Sequence, residues 1–398
     1  MGTEMIVLYL VYWYNNFIIR RFSLFADFIK ILFMNKIIIF FVVLNILSCN
    51  KDKKQIPKSK FIIHRDSISI DTPKNINPME VYWQFIKTKN ISYLIDTDIP
   101  LNNLFIYDLQ HKKWQTLNFT QEGPNGIGIG TGFYYYNKDS IFIVSGYQNK
   151  IFLFNKNIQK IKEYKIPKSF DINLYTIRKG FINNSKLFIP FTSFIKKDKR
   201  YTKNSKLLLK IDINTGNTTP LIKYPNSMLN KKWNTELLQM SYLIEKDTIY
   251  SSFCALDSIF LYDLKGKLIC KKYAKSKYLD HIEPLSNNVD SNSYKAKNKL
   301  YQNGFYGGLI SDTKYFYRLA YHLPKNFTKK NITRKNLILS VLIFNKNLEF
   351  LNEIILKKGG GYYHFITEKG LTVSANPNFT ENLTEGKRKF YTYKFEKI

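Results

Sequence analysis

The chain has 398 residues, 44% of them hydrophobic and 16% aromatic, and a formal net charge of +31. That length supports one large or two ordinary domains, and three cysteines at 49, 254 and 270 supply neither a disulfide framework nor a metal-ligand spacing. The charge invites a nucleic-acid reading, but its make-up argues against one: 53 of the 61 basic residues are Lys and 8 are Arg, with no lysine run longer than two, whereas Arg is the usual reader of phosphate and base edges.

In chain order, residues 1–33 are apolar and aromatic and precede what is already a complete signal. They read as an upstream extension from a start codon placed too early, with Met34 the initiator. An extra membrane-associated helix is the alternative. "MNKIIIFFVVLNILSC" (34–49) has a short n-region with Lys36, an apolar run from Ile37 to Leu47, and then Ser48-Cys49. The run is short for a bilayer span and its flanks fit a secretory signal. A small residue followed by cysteine at the cleavage point resembles the bacterial lipobox. The resemblance implies that Cys49 becomes the first residue, is lipidated on sulfur, and is held to the membrane by burial of the acyl methylenes. Residues 50–59 then read as a tether and 60–398 as the folded domain.

Within 60–398 a repeat recurs: strand, tight turn, strand. It reads "LFIYDLQHKKWQTLNF" (104–119), "IFLFNKNIQKIKEYKI" (151–166), "LLLKIDINTGNTTPLIKY" (207–224), "SIFLYDLKGKLICKKY" (258–273) and "VLIFNKNLEFLNEIIL" (341–356). The first strand ends on a polar residue each time, at Asp108, Asn155, Asp212, Asp263 and Asn345. Another hairpin precedes each copy, as in "GFYYYNKDSIFIVSG" (132–146) and "SYLIEKDTIYSSF" (241–253). Strands rich in β-branched and aromatic residues at regular spacing predict an all-β fold, with helical periodicity absent after residue 60.

Four antiparallel strands in about 50 residues are the signature of a propeller blade. With strands A to D named from the axis outward, inner strands start near residues 82, 132, 175, 237, 305 and 362, which predicts a six-bladed β-propeller. The sixth unit lacks a D strand, and "KFIIHRDSISID" (60–71) has no blade of its own. It is expected to supply that outer strand and close the ring, since an open ring leaves unpaired edges. Seven blades, with 274–304 hiding one, is the alternative. Cys254 and Cys270 fall on strands B and D of one blade, ~9.5 Å apart at two strand spacings, beyond disulfide reach.

The A–B and C–D turns are short, whereas the D–A and B–C connections carry the length, so long loops gather on one face. Such loops on a rigid scaffold usually carry binding. The glycine-rich "EGPNGIGIGTG" (122–132) lacks the phosphate-loop spacing. Its Pro124-Asn125 and Gly126 read as a turn between blades. Candidate ligand-binding residues on or beside the long loops are Tyr82, Trp83, Asn125, Trp233, His281, Tyr363 and His364. The flat rings suit sugars, peptides or aromatic ligands. His281, His322 and His364 map to one face, with Asp280, Glu283 and Asp290 nearby. Loop histidines are mostly solvated or packed, and no metal or other cofactor is expected. No nucleophile-elbow motif is present.

The lipobox, the six-bladed ring, Pro124-Asn125-Gly126 and "DSIFI" (139–143) together resemble the uncharacterised propeller lipoproteins of Bacteroidota and, more distantly, NHL-type propellers. That resemblance implies a cell-envelope location, outer membrane foremost, a binding role and no catalytic residues. The expected function is a lipid-anchored, non-catalytic propeller that binds a glycan, a peptide or a protein partner on its long-loop face. An envelope hydrolase or lyase, and a structural subunit of an envelope complex, are the alternatives.

Overall fold

The computed structural model describes residues 59–72, 84–87, 92–98, 101–130, 132–146, 148–166, 180–190, 205–327, 332–358, 364–375 and 387–398. Strand β1 (Phe61–Asp71) comes first but belongs to the last blade. Blade one follows as β2 (Gln84–Lys87), β3 (Ser92–Asp98), β4 (Asn103–Asp108) and β5 (Lys113–Asn118). Blade two is β6 (Gly132–Asn137), β7 (Ser140–Ser145), β8 (Lys150–Phe154) and β9 (Lys160–Lys165). Blade three is β10 (Phe181–Asn183), β11 (Lys186–Pro190), β12 (Lys206–Asp212) and β13 (Thr218–Lys223). Blade four is β14 (Met240–Glu245), β15 (Thr248–Phe253), β16 (Ser258–Asp263) and β17 (Leu268–Tyr273). Helix α1 (Tyr294–Asn303) precedes blade five, which is β18 (Phe305–Ser311), β19 (Phe316–His322), β20 (Ile338–Phe344) and β21 (Phe350–Lys358). Blade six is β22 (His364–Thr367), β23 (Gly370–Ser374), β24 (Lys387–Lys397) and, outermost, β1.

Six four-stranded antiparallel sheets therefore make a six-bladed propeller. The ring closes as expected, with β1 paired to β24 in unbroken register from Phe61↔Lys397 to Asp71↔Lys387. The expected absence of helix after residue 60 fails, and so does the seven-blade alternative: the 274–304 segment holds helix α1. Ser293 starts the helix by accepting a hydrogen bond on Oγ from the Ala296 N–H at 3.2 Å, the local signal that a search for strand periodicity passes over.

The core lies in the seams between blades. Ile95, Leu104 and Ile106 of blade one meet Ile141, Ile143, Phe152 and Phe154 of blade two. Tyr134, Phe142 and Val144 of blade two meet Leu187, Ile189 and Leu209 of blade three. The middle strands are buried on both faces, which is why β7 and β20 read as continuous apolar runs. The outer strands β5 and β9 are half exposed, and their sequences alternate.

The polar residue ending each C strand makes the turn that follows. Asp108 Oδ1 accepts from the N–H groups of Gln110 and His111, both at 2.9 Å. Asn155, Asp212, Asp263 and Asn345 do the same for the residues two to four positions on. The carboxylate or amide oxygen stands in for a backbone acceptor, so the corner forms without help from elsewhere in the fold. The glycine-rich connection also turns as expected. The Gly126 N–H donates to Gly123 O at 2.9 Å across Pro124-Asn125, and a Cβ at 126 would meet the Glu122 backbone at 2.7 Å. Asn102 then pins the loop, donating to Gly128 O at 2.7 Å and accepting from the Gly130 N–H at 2.9 Å.

Candidate functional site: the axial cavity

The inner strands of five blades (β2, β10, β14, β18 and β22) enclose a cavity of about 880 Å³. That is the size of a small-molecule pocket. Its middle is set by the close approach of blades four, five and six. Ser241 on β14 accepts from the Leu309 N–H at 2.8 Å. The register of β18 against β19 breaks between Tyr306 and Leu309, where Gly307 and Gly308 stand. The imidazole of His364 packs on that glycine backbone: a Cβ at 308 would fall 1.6 Å from His364 Nε2. Only glycine admits the histidine there.

The end beneath the short A–B turns is charged and largely exposed. Lys87, Asp312, Lys314, Glu368, Lys369 and Lys394 line it, and Lys87 pairs with Glu368 at 2.9 Å with both side chains more than half exposed. Such pairs contribute little to stability.

The opposite end lies under the long loops and has a different chemistry. Glu236 and Gln239 arrive on the connection between β13 and β14, and Arg334 on a 3-10 turn (Arg334–Asn336) between β19 and β20. Thr333 and Asn336 cap that turn reciprocally, the Thr333 N–H donating to Asn336 Oδ1 at 2.9 Å. Arg334 is only 6% exposed. Its Cζ lies 5.1 Å from the ring centre of Tyr321 and 5.7 Å from that of Phe305, both of which line the same cavity. Burial raises the Glu236 carboxyl above the usual range, while Arg334 and Lys297 of α1 oppose that rise.

The loops around this end are locked together. Lys232 and Leu285 form a β-bridge, with the Leu285 N–H 2.7 Å from Lys232 O. Asn234 donates to Ser291 O at 3.2 Å, and Thr235 to Asn292 Oδ1 at 2.9 Å. Asn298 of α1 accepts from the Ile332 N–H at 3.3 Å. Below them Arg318, fully buried, donates to Ser252 Oγ at 2.8 Å, to Ala274 O at 2.7 Å, to Phe253 O at 3.2 Å and to Leu256 O. Its Cζ stands 3.4 Å over the Tyr306 ring. The Tyr306 hydroxyl donates to Asp257 at 2.5 Å. Glu353 accepts from Ser276, Ser340 and the Lys277 N–H. These contacts fix where the long loops leave blades four and five.

Among the residues expected from sequence, His364 lines the cavity. Trp233 does not offer a face to ligand. It is 3% exposed and its Nε1–H donates to Met228 O at 3.0 Å, so the loop folds around the indole. Asn125 is exposed, lines no part of the cavity, and accepts from the Lys160 N–H at 3.4 Å on blade two. His281 is exposed and away from the cavity lining. Cys49, Tyr82, Trp83 and Tyr363 lie outside the described residues. His322 is buried, stacks on Tyr278 at 4.5 Å and donates from Nδ1 to Leu323 O at 3.1 Å, and burial holds its pKa below the usual value. Among the described residues no three His, Cys, Asp or Glu side chains gather to hold a metal ion, and Cys254 and Cys270 are not joined in a disulfide. Sequence reasoning missed Arg334 and Glu236. The one available signal was an arginine standing among the lysines of a long loop.

Residues 58–355 match the family model for the domain of unknown function DUF4221. The fold is similar to the crystal structure of a DUF4221 member from Bacteroides vulgatus, at 19% identity and a TM-score of 0.70, covering 87% of this chain and 100% of that one. It is also similar to that of a candidate exported protein from Bacteroides fragilis, at 12% identity and a TM-score of 0.55, covering 84% and 96%. No curated protein matches the chain.

Proposed function

We propose, from the premise that this chain belongs to the DUF4221 family, that it is an exported, lipid-anchored propeller that binds a ligand without catalysis at the long-loop end of its axial cavity. The observation that carries the reading is the cavity itself: about 880 Å³, walled by inner strands and approached through loops that are braced against one another. A rigid, concave, mixed polar and aromatic pocket is what a binding protein needs, because ordering costs are met on folding, before the ligand arrives. Export is supported by the apolar run 37–47 and by the name of the exported Bacteroides fragilis protein that shares the fold, and anchoring by Ser48-Cys49 at its end.

The test has two arms. In cells fed an alkynyl fatty acid, the chain is expected to be labelled and to sediment with membranes, and Cys49→Ser to do neither. A labelled, membrane-bound Cys49→Ser chain would sink the anchor. In a thermal-shift panel of glycans, peptides and small metabolites, a bound compound raises Tm by mass action. That rise is expected to vanish in His364→Trp, which fills the cavity, and to persist in Asn125→Ala on the outer surface. Hits that ignore His364→Trp would move binding out of the channel.

A further inference from the structure

The long-loop end of the cavity has a more specific chemistry than a generic pocket, and the following rests on the channel-binding reading above. A guanidinium taken out of water is expensive to place, and here it lines a cavity instead of the interior of a seam. Its Cζ lies beside the rings of Tyr321 and Phe305, and its fork also bonds the Tyr321 side chain. A guanidinium presents five N–H donors in a fixed fork, so a carboxylate can share it with the tyrosine. Glu236 lines the same end and couples electrostatically to Arg334. A second negative group in the pocket penalises a dianion such as phosphate far more than a monoanion. The acid also offers an oxygen to a donor on the ligand. The four lysines that line the cavity, Lys87, Lys314, Lys369 and Lys394, stand at the other end, and Lys297 of α1 acts on Glu236 without lining it.

We propose that this end of the channel receives a small organic monocarboxylate, with Arg334 taking the carboxylate and Glu236 the neighbouring N–H or O–H of the ligand. Amino acids and sugar acids both carry that pair of groups, and the experiment separates them.

The probe is trifluoroacetate, followed by fluorine NMR line broadening with the full-length chain in detergent, and trifluoroethanol is the neutral counterpart. Wild type is expected to broaden trifluoroacetate and not trifluoroethanol. Arg334→Gln should weaken the effect about tenfold, the loss of one charge-assisted contact. Lys165→Gln, on the exposed outer strand of blade two, should change nothing, which separates the site from diffuse attraction to a basic protein. Glu236→Gln should bind the probe severalfold tighter, a gain that misfolding cannot mimic. Displacement by L-alanine alone assigns the amino-acid source, and displacement by D-glucuronate alone the sugar-acid source. Absence of broadening in wild type, equal broadening in Arg334→Gln, or weaker binding in Glu236→Gln overturns the proposal. A neutral compound that raises Tm equally in wild type and Arg334→Gln, yet loses its effect in His364→Trp, overturns the carboxylate assignment and leaves channel binding standing.

Discussion

Arg318, Arg334 and Arg388 are buried, whereas no lysine among the described residues is. The division follows from hydration. An ammonium is a compact, strongly hydrated charge, while a guanidinium is weakly hydrated and presents a rigid fork that several acceptors can share. Arg318 uses that fork on three backbone carbonyls and a serine. Arg318→Met keeps the volume but strands those acceptors, each costing about 1–3 kcal/mol when left unmade. A loss of about 3–5 kcal/mol is expected by chemical denaturation, along with loosening of the long loops in hydrogen exchange; a loss below about 1 kcal/mol would show that water replaces the fork. The rarity of arginine was visible in the sequence. Which arginine faces the cavity was not, because Arg318 and Arg334 look alike until the fold places one in a seam and the other at the channel.

At the scale of elements, local chemistry was largely legible. Asp108, Asn155, Asp212, Asp263 and Asn345 mark their turns because each side chain bonds backbone a few residues on, with no tertiary partner needed. Trp233 misled for the opposite reason: an aromatic in a long loop reads as ligand-facing, yet this loop is large enough to bury its own core, with Met228, Leu237 and Leu238 in the same cluster. The closure strand makes a testable claim. Removing residues 59–71 uncovers β24 along its whole length, leaving an edge open to pairing with other chains. The shortened protein is expected to melt lower by on the order of 10 °C and to self-associate in sedimentation, and a peptide of residues 60–71 added in trans should reverse both. An unchanged melt would mean that the ring holds without its outer strand.

The whole ring meets itself at the seam between blades six and one, where Arg388 Nη1 lies 3.0 Å from Asp96 Oδ2 and both side chains are buried. Burial pushes the Asp96 carboxyl up to about 7, although Arg388 pulls it down. In the unfolded chain an aspartate loses its proton near 4. Between those values the folded ring holds a proton that the unfolded chain has released. The stability tied to Asp96 is therefore greatest at the acidic end of this window and is lost as pH rises through about 7. Asp96→Asn, which cannot ionise, is expected to flatten this component of Tm against pH. Parallel profiles for the two proteins between pH 4 and 8 would show that Asp96 titrates normally.

From the sequence alone came the blade repeat, the count of six, the closure by an N-terminal strand and the side on which the long loops gather. All of these rest on period-two patterning and turn residues, which act over a few neighbours and need no knowledge of the fold. Helix α1 inside 274–304, the burial of Trp233, and the meeting of Glu236, Arg334, Phe305 and Tyr321 at one end of the channel were decided by tertiary structure. Those outcomes depend on how separate loops brace one another and on which side chains the ring turns toward its axis, and neither is encoded in local spacing.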